Sequence, residues 1–160
     1  MENIFNIISE NVFTLLNKEE YLTLSFSSES TQFIRFSQSK IRQTGLVDDA
    51  TLELELIFDN RTCGEAFTLS GDIEADIQKA QVALDTLRSE VIQLPEDPYI
   101  VLPENNGSSR DIHAGSLLSV DDAADALTPA MQSVDLAGIF ASGKIYRGNA
   151  NSLGQKHWFS

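Results

Sequence analysis

The segment TLELELIFDN, residues 51–60, is the feature that most restricts how this chain can fold. Its leucines and phenylalanine occupy every second position, and two glutamates lie between them. Successive side chains of a strand point to opposite faces, so this pattern predicts a strand with one buried and one solvated face. Asp59 and Asn60 then favour a tight turn, after which TCGEAFTL pairs back as the second strand of a hairpin. The chain therefore needs a layer that covers the apolar face of a sheet.

Two amphipathic helices are predicted to supply that layer. Apolar residues recur at three- and four-residue steps over residues 4–16 and again over residues 73–91. The second run opens with three acidic residues, which suit the positive end of a helix dipole. A third helix is expected to start at Ser119 and to continue to Val134, with Pro129 kinking or splitting it.

Further strands are predicted at residues 21–26, ending at the polar SSES, and at residues 33–36. The chain closes with a strand, a turn at Asn151 to Gly154 and a final strand. Residues near 95–118 are rich in Pro, Gly, Ser and Asn, so an extended connector is expected there. The fold class is α+β, with a mixed or antiparallel sheet and amphipathic helices packed on one face.

Charge and composition restrict the partners of the chain. A formal net charge of -13 and a sequence pI near 4.3 repel anionic surfaces. We therefore expect no nucleic-acid partner. The sequence has no apolar run long enough to cross a bilayer, so we expect no membrane partner either. A single cysteine, Cys63, fits a reducing compartment, and a cytoplasmic location is expected.

The residues that most often carry chemistry are isolated in this sequence. His113 and His157 are far apart and stand in no metal-binding pattern. Cys63 is interpreted as a small buried hydrophobe, and Glu53 and Glu55 as a solvated strand face. The sequence therefore predicts no catalytic residue and no metal ligand set within the chain.

The order of segments resembles the N-terminal part of the TldD/PmbA family, also called peptidase U62 or "modulator of DNA gyrase" proteins. The resemblance covers nearly all of residues 1–160. It rests on SKIRQTGLVDDATLELELIFDNRTCGEAFTL, where basic residues and a glycine precede a strand and an Arg- and Gly-bearing turn. The helix IEADIQKAQVALDTLR, the connector LPEDPY, the helix opening SVDDAADAL and the strand end GNANSLGQ follow in order.

This resemblance implies a domain that handles substrate and assembles with other parts in proteolysis or peptide maturation. Zinc would belong to a missing C-terminal region or to a partner subunit, because none of the family's zinc ligands occurs in this chain. The expected partners are a peptide or unfolded protein substrate and either a second copy or a family-related subunit. The alternative is a stand-alone acidic α+β module that binds proteins or peptides without a link to proteolysis.

Eight residues are candidates for contact with a peptide or a partner. Arg35, Lys40 and Arg42 either pair with Glu53, Glu55 or Asp48 across the sheet or contact the partner domain or a peptide's carboxylates. The other candidates lie in the final hairpin, near a sheet edge that can accept an added strand: Asn149, Asn151, Ser152, Gly154 and Trp158.

The C-terminal sequence carries two further expectations. Because the last strand stops at Trp158, Phe159 and Ser160 with no polar tail, we expect a fragment of a longer polypeptide. The strand of Trp158 is then expected to be an exposed edge that drives self-association, which Trp158→Ser would weaken.

Overall fold

A computed structural model describes residues 1–131 and 134–160. In this part of the chain three α-helices and six strands make up an α+β fold, which confirms the predicted class. The helices are α1 (Glu2–Phe13), α2 (Ile73–Val91) and α3 (Val120–Leu127), and the strands are β1 (Tyr21–Ser37), β2 (Lys40–Phe58), β3 (Arg61–Thr68), β4 (Ser109–Asp111), β5 (Gly138–Asn151) and β6 (Lys156–Phe159).

The strands form one mixed sheet in the order β3-β2-β1-β5-β6-β4. The pairs β2–β3 and β5–β6 are antiparallel, and β4 runs parallel to β6. No helix in the described residues combines the length and apolarity that a membrane crossing requires.

The chain divides into two compact units, and both take residues from β1, β2 and β5. Unit 1 contains residues 1–28, 50–112 and 146–160, and unit 2 contains residues 29–49 and 113–145.

Unit 1 has a core formed between one sheet face and the helices α1 and α2. Leucines at alternate positions of β1 and β2 pack against the apolar stripes of both helices. The fully buried large side chains of this core are Phe5, Ile8, Val12, Leu22, Leu24, Leu52, Leu54, Leu56, Leu84, Leu87 and Val91. The predicted covering of the sheet by amphipathic helices is therefore present in unit 1.

The β2–β3 hairpin has the predicted turn. Asp59 and Asn60 both have positive φ, 50° and 55°, as a two-residue turn of the mirror-image type requires. Cys63 on β3 is half-buried, and its Sγ lies 3.4 Å from the Leu87 carbonyl oxygen. Burial raises the pKa of the Cys63 thiol, and the negative charge of Glu90 raises it further, so the thiol stays protonated at neutral pH.

Unit 2 has a smaller core around α3. Its buried apolar residues are Ile34, Phe36, Ala123 and Met131. As predicted, Ser119 caps α3 by accepting a hydrogen bond from the Asp122 amide. The helix ends at Leu127 and a 3₁₀ turn follows over Thr128–Met131, so the predicted helix is split at Pro129. Residues 132 and 133 of the predicted helix lie outside the described residues.

The prediction of two strands between residues 21 and 36 was wrong. β1 continues as one strand from Tyr21 to Ser37, through the polar SSES. Ser28 and Gln32 are buried, so except at Ser30 the alternation of buried and accessible positions continues where the alternation of apolar and polar side chains stops. β2 likewise begins well before the predicted strand, at Lys40.

The expected exposure of Trp158 was also wrong. Its side chain is only 5% exposed and packs with Phe5, Phe26 and Tyr146 at ring-centroid distances of 6.0, 5.7 and 6.2 Å. β6 is not an edge, because β4 pairs with it within the segment expected to be a connector. Trp158→Ser would therefore open the core, so it cannot test self-association.

Candidate functional site

The sheet face of unit 1 that points away from α1 and α2 carries a polar groove. Because Phe26, Gly148 and Trp158 pack toward the helices, their neighbours along each strand project from the opposite face. The pairing of Arg110 on β4 with Glu2 on α1 fits this assignment, since Arg110 stands opposite Trp158 in the β4–β6 register.

The groove has a volume of about 480 Å³. Five strands line it, namely β2, β1, β5, β6 and β4. The side chains that they contribute on this face are Ser25, Ser27, Thr51, Glu53, Ser109, Asp111, Arg147, Asn149, His157 and Phe159. A volume of this size lies in the usual range for ligand sites, which is about 300–1,000 Å³.

Hydrogen bonds between strands hold the polar side chains of the groove in place. Ser109 Oγ on β4 lies 2.7 Å from His157 Nδ1 on β6. Asn149 on β5 donates from Nδ2 to Ser25 Oγ on β1 at 3.1 Å. The first contact follows from the register, which places Ser109 and Asn149 on either side of His157. The imidazole orientation is thereby fixed.

Arg147 supplies a positive charge at the groove. Its Nη1 donates to the carbonyl oxygens of Tyr146 and Ser28, at 2.8 and 3.4 Å, and the side chain is otherwise exposed. Together with Glu53 and Asp111, the groove thus offers charges of both signs beside neutral donors and acceptors. Such a set suits the amide groups of a peptide main chain better than a purely anionic or cationic ligand.

Of the candidates in the final hairpin, Asn149 and Trp158 line this groove. Asn149 does so with its side chain on the polar face, whereas Trp158 belongs to the core. Asn151, Ser152 and Gly154 lie in the β5–β6 turn instead.

The hydrogen bonds of that turn are made within unit 1. Asn151 is buried, and its Oδ1 accepts from the Leu153 and Gln155 amides at 3.0 and 3.2 Å. Ser152 exchanges hydrogen bonds with the main chain of Leu22, and Gly154 has a φ of +88° that disfavours any side chain. These contacts give all three residues a structural role, while their contact with a peptide or partner stays a prediction.

Arg35, Lys40 and Arg42 lie in unit 2, on the strands that flank the turn at Gln38 and Ser39. The guanidinium hydrogen bonds that the structure describes for Arg35 and Arg42 are to neutral oxygens and not to Glu53, Glu55 or Asp48. Arg42 donates to the Ser37 carbonyl at 3.2 Å and to Gln38 Oε1 at 2.9 Å, and Arg35 lies 3.5 Å from Gln43 Oε1. Lys40 is exposed. Their role toward a partner stays a prediction.

Sequence reasoning missed most of the groove residues, among them Ser109, Asp111, Arg147 and His157. The first two lie on a three-residue strand inside a Pro- and Gly-rich stretch, which is too short for any alternation to be visible. The sequence does contain a signal for Arg147, because the polar positions of the predicted terminal strand alternate with small residues and so indicate one polar face. The sequence around His157 contains no metal-binding pattern and gives no other signal of a site. Among the described residues, no three His, Cys, Asp or Glu side chains converge in a way that could hold a metal ion.

Solved structures with this fold cover almost the whole chain. TldE from Thermococcus kodakarensis matches with a TM-score of 0.66 and 14% identity, over 99% of this chain and 37% of its own. A proposed modulator of DNA gyrase from Thermotoga maritima matches with a TM-score of 0.64 and 15% identity, over 96% of this chain and 36% of its own. A similar protein from Bacteroides thetaiotaomicron gives 0.59 and 15%, over 98% and 38%.

These matches have the names of the family that the segment order resembles, and at this identity they establish the fold. The chain spans somewhat more than a third of the length of each solved protein. No family model matches the sequence, and no curated protein matches it.

Proposed function

We propose that this chain acts as a substrate-handling and assembly domain of a TldD/PmbA-type protein. Its role is in proteolysis or peptide maturation, and the groove of unit 1 holds an unfolded peptide while the reacting groups come from elsewhere in a larger assembly. A cytoplasmic location is part of the proposal and is supported by the single cysteine.

The observation that carries the proposal is the groove on the uncovered sheet face of unit 1. It runs over five neighbouring strands, so an extended peptide can lie along it and meet donors and acceptors at regular intervals. Asn149, His157 and Ser109 are held by one another or by Ser25, which reduces the entropy lost when they bind a ligand. Neutral amide and hydroxyl groups form hydrogen bonds with the main chain of a peptide, so binding depends little on the peptide's sequence.

The fold supports the second half of the proposal. TldE, which shares the fold, is a longer protein in which the matched region occupies 37% of the chain. An equivalent domain therefore works beside other parts, and catalysis need not be present in this span. Zinc, if used, would be bound by those other parts.

The alternative function is a stand-alone acidic module that binds peptides or proteins without any link to proteolysis. It uses the same groove and requires no second component. Reading the gene beyond the codon for Ser160 distinguishes the two, because only the first predicts a continuing frame or a co-encoded partner with a zinc motif.

The peptide site is tested by fluorescence anisotropy with a labelled, unstructured peptide of about ten residues that alternates serine and valine and carries no charged side chain. We expect saturable binding, weakened about fivefold to tenfold by Arg147→Ala and by Asn149→Ala. A version of the peptide with alternate amides methylated should bind less tightly, because it lacks main-chain donors.

Lys18→Ala is the matched control, since it removes one exposed positive charge from the loop after α1, away from the groove. An equal loss of affinity in Lys18→Ala and Arg147→Ala would contradict the proposal. The absence of binding at about 1 mM peptide would also contradict it, because a dissociation constant above that concentration is too weak for functional peptide recognition.

A further inference from the structure

Unit 2 contains a second groove, in which a group of aliphatic side chains, Leu46, Val47, Leu117, Leu118 and Val120, lies among polar ones. Its volume is about 460 Å³. Leu46 on β2 is 70% exposed, and Leu117 and Val120 are 51% and 55% exposed. Leu118 completes this apolar lining. Several exposed aliphatic side chains around one concavity are typical of an interaction site rather than of a solvated surface.

Buried polar contacts hold the walls of this groove in place. Gln32 is buried on β1, and its Nε2 donates to the Leu118 carbonyl oxygen at 2.8 Å and to Ser142 Oγ at 3.3 Å. Ser119 caps α3 directly after Leu118. Gly143 passes so close to Ser30 and Thr31 that a Cβ would collide with their main chain, so this position requires glycine. The apolar side chains are thus presented by anchored backbone.

Negative charges outnumber positive ones at the rim of the groove, meaning the charged residues of its lining and those that directly follow the lining in sequence. Asp48 lines the groove beside Leu46, and Asp121 and Asp122 directly follow Val120 at the start of α3. Lys144 is the basic residue in the lining. An apolar centre with acidic groups at its rim complements a segment that has apolar residues in its middle and Lys or Arg at its sides.

The charge of the whole chain decides which occupant fits this groove. A second copy would bring another formal charge of -13 and the same acidic rim against the first, and like charges across an interface oppose association. A basic partner gains from the same field, because it is attracted before contact and its charges meet Asp48 and Asp121 on docking.

We propose that the groove of unit 2 is a docking surface for a basic amphipathic segment of a different protein. The aliphatic side chains of that segment contact Leu46, Leu117 and Val120, and its Lys or Arg side chains pair with Asp48 and Asp121. This surface is distinct from the peptide groove of unit 1 and does not depend on the function proposed for that groove.

The test uses the full chain and a fluorescein-labelled probe of about 14 residues built from leucine, alanine and lysine, long enough for several helical turns. Two matched probes replace lysine by glutamate or leucine by serine. We expect the Leu/Lys probe to bind and both matched probes to bind at least tenfold more weakly. Combining Leu46→Ser with Val120→Ser should weaken the Leu/Lys probe at least tenfold. Asp48→Asn with Asp121→Asn should weaken it and flatten its dependence on salt.

Ile139→Ser is the control within the same unit, because Ile139 is also an exposed aliphatic side chain but does not line the groove. It should leave affinity within about twofold, as surface substitutions away from an interface do. Arg147→Ala, in the other groove, should also leave it unchanged.

Three results would overturn the proposal. The first is equal binding of the lysine and glutamate probes. The second is loss of probe binding in Arg147→Ala but not in the Leu46 and Val120 double variant. The third is a dimer in light scattering that the double variant dissociates, because it would make a second copy the occupant.

Discussion

Glu20 and Arg88 form a largely buried ion pair between the loop after α1 and the helix α2. Arg88 Nε lies 3.0 Å from Glu20 Oε1, and Arg88 Nη2 lies 2.9 Å from Glu20 Oε2, while the glutamate side chain is only 6% exposed. Arg88 Nη2 also donates to the Leu15 carbonyl at 2.6 Å. Burial raises the pKa of the Glu20 carboxyl, but hydrogen bonds from Arg88 and Asn17 more than offset this, so its pKa lies below the ordinary value.

We predict that Glu20→Gln lowers the free energy of unfolding by about 2 kcal/mol at neutral pH, because it leaves a partly buried guanidinium with only the exposed Asp85 as a charged partner. A carboxyl whose folded-state pKa is depressed stabilises the protein above its unfolded pKa and loses that contribution as pH falls through the folded value. The difference between parent and variant should therefore be full at pH 7 and shrink below about pH 4. Urea unfolding followed by circular dichroism at several pH values measures it.

Glu10→Gln is the matched control for this pair. Glu10 is 73% exposed and lies 3.6 Å from Lys156 Nζ, so its removal should cost about 0.5 kcal/mol or less. A loss of stability that is as large for Glu10→Gln, or that is the same at pH 3 and pH 7 for Glu20→Gln, would contradict the prediction.

Trp158 illustrates what single residues reveal before the structure is known. Its apolar character and its place in a final strand were predictable, but the side of the sheet that it faces was not. Gly148 stands opposite Trp158 in the β5–β6 register, and a Cβ there would lie 2.9 Å from Phe5 and 3.1 Å from Trp158. The position of Trp158 thus depends on contact with α1, far away in sequence, which no local pattern indicates.

At the scale of elements, α2 is fixed by two aspartates with different tasks. Asp72 caps the helix by accepting from the Glu74 and Ala75 amides at 3.0 and 3.1 Å. Asp76 is 1% exposed and accepts from the Ser70 amide, the Ser70 hydroxyl and the Gly71 amide at 2.7, 2.8 and 3.0 Å. The buried carboxylate therefore holds the segment between β3 and α2 against the helix.

We predict that Asp76→Ala lowers the free energy of unfolding by about 3 kcal/mol, because it removes three hydrogen bonds to a buried carboxylate, two of them from main-chain amides. Asp72→Ala should cost only about 1 kcal/mol, the usual cost of losing a helix cap. Denaturant unfolding of both variants measures the two costs. The ranking is contradicted if Asp72→Ala costs as much as Asp76→Ala.

Elements with a clear period were predictable, and those held by pairing alone were not. The apolar run with helical spacing over residues 73–91 has the same bounds as α2. The alternation of apolar and polar side chains over residues 51–58 predicted the buried face of β2. β1 could not be predicted as one strand, because polar Ser28 and Gln32 take buried positions and interrupt the apolar pattern. β4 gains its strand conformation only from its pairing with β6.

At the scale of the whole molecule, how much of a candidate site can be predicted from the sequence depends on how many separate segments form it. The groove of unit 1 uses side chains from five strands that are widely separated in sequence, so its content follows from strand order and register. Sequence could supply Asn149 as a candidate, but not Ser109 and Asp111 on β4. The segment order nevertheless pointed to the family whose solved members share the fold, because order and spacing survive where identity has fallen to 14–15%.

Two of the structures with this fold are described as proposed modulators of DNA gyrase, which raises the question of whether this chain contacts DNA. The net charge of the whole molecule decides the answer. We predict no measurable binding to a labelled duplex of about 30 base pairs at about 150 mM salt. Affinity for DNA arises mainly from neutralising many phosphates and releasing their counterions. This chain has a formal charge of -13, and its one basic cluster is confined to Arg35, Lys40 and Arg42.

Within that cluster Arg42 already donates to Ser37 and Gln38 on its own hairpin, which leaves few donors for phosphate oxygens. Any weak anisotropy signal at about 20 mM salt should vanish as the salt concentration rises. With few phosphate contacts the affinity falls only gently with salt, but because it is already low it soon drops below detection. Lys40→Glu with Arg42→Glu should make no difference at about 150 mM salt, since there is no binding to lose. Saturable binding at that salt concentration that this double variant abolishes would show that the hairpin acts as a phosphate-binding surface despite the opposing field of the chain.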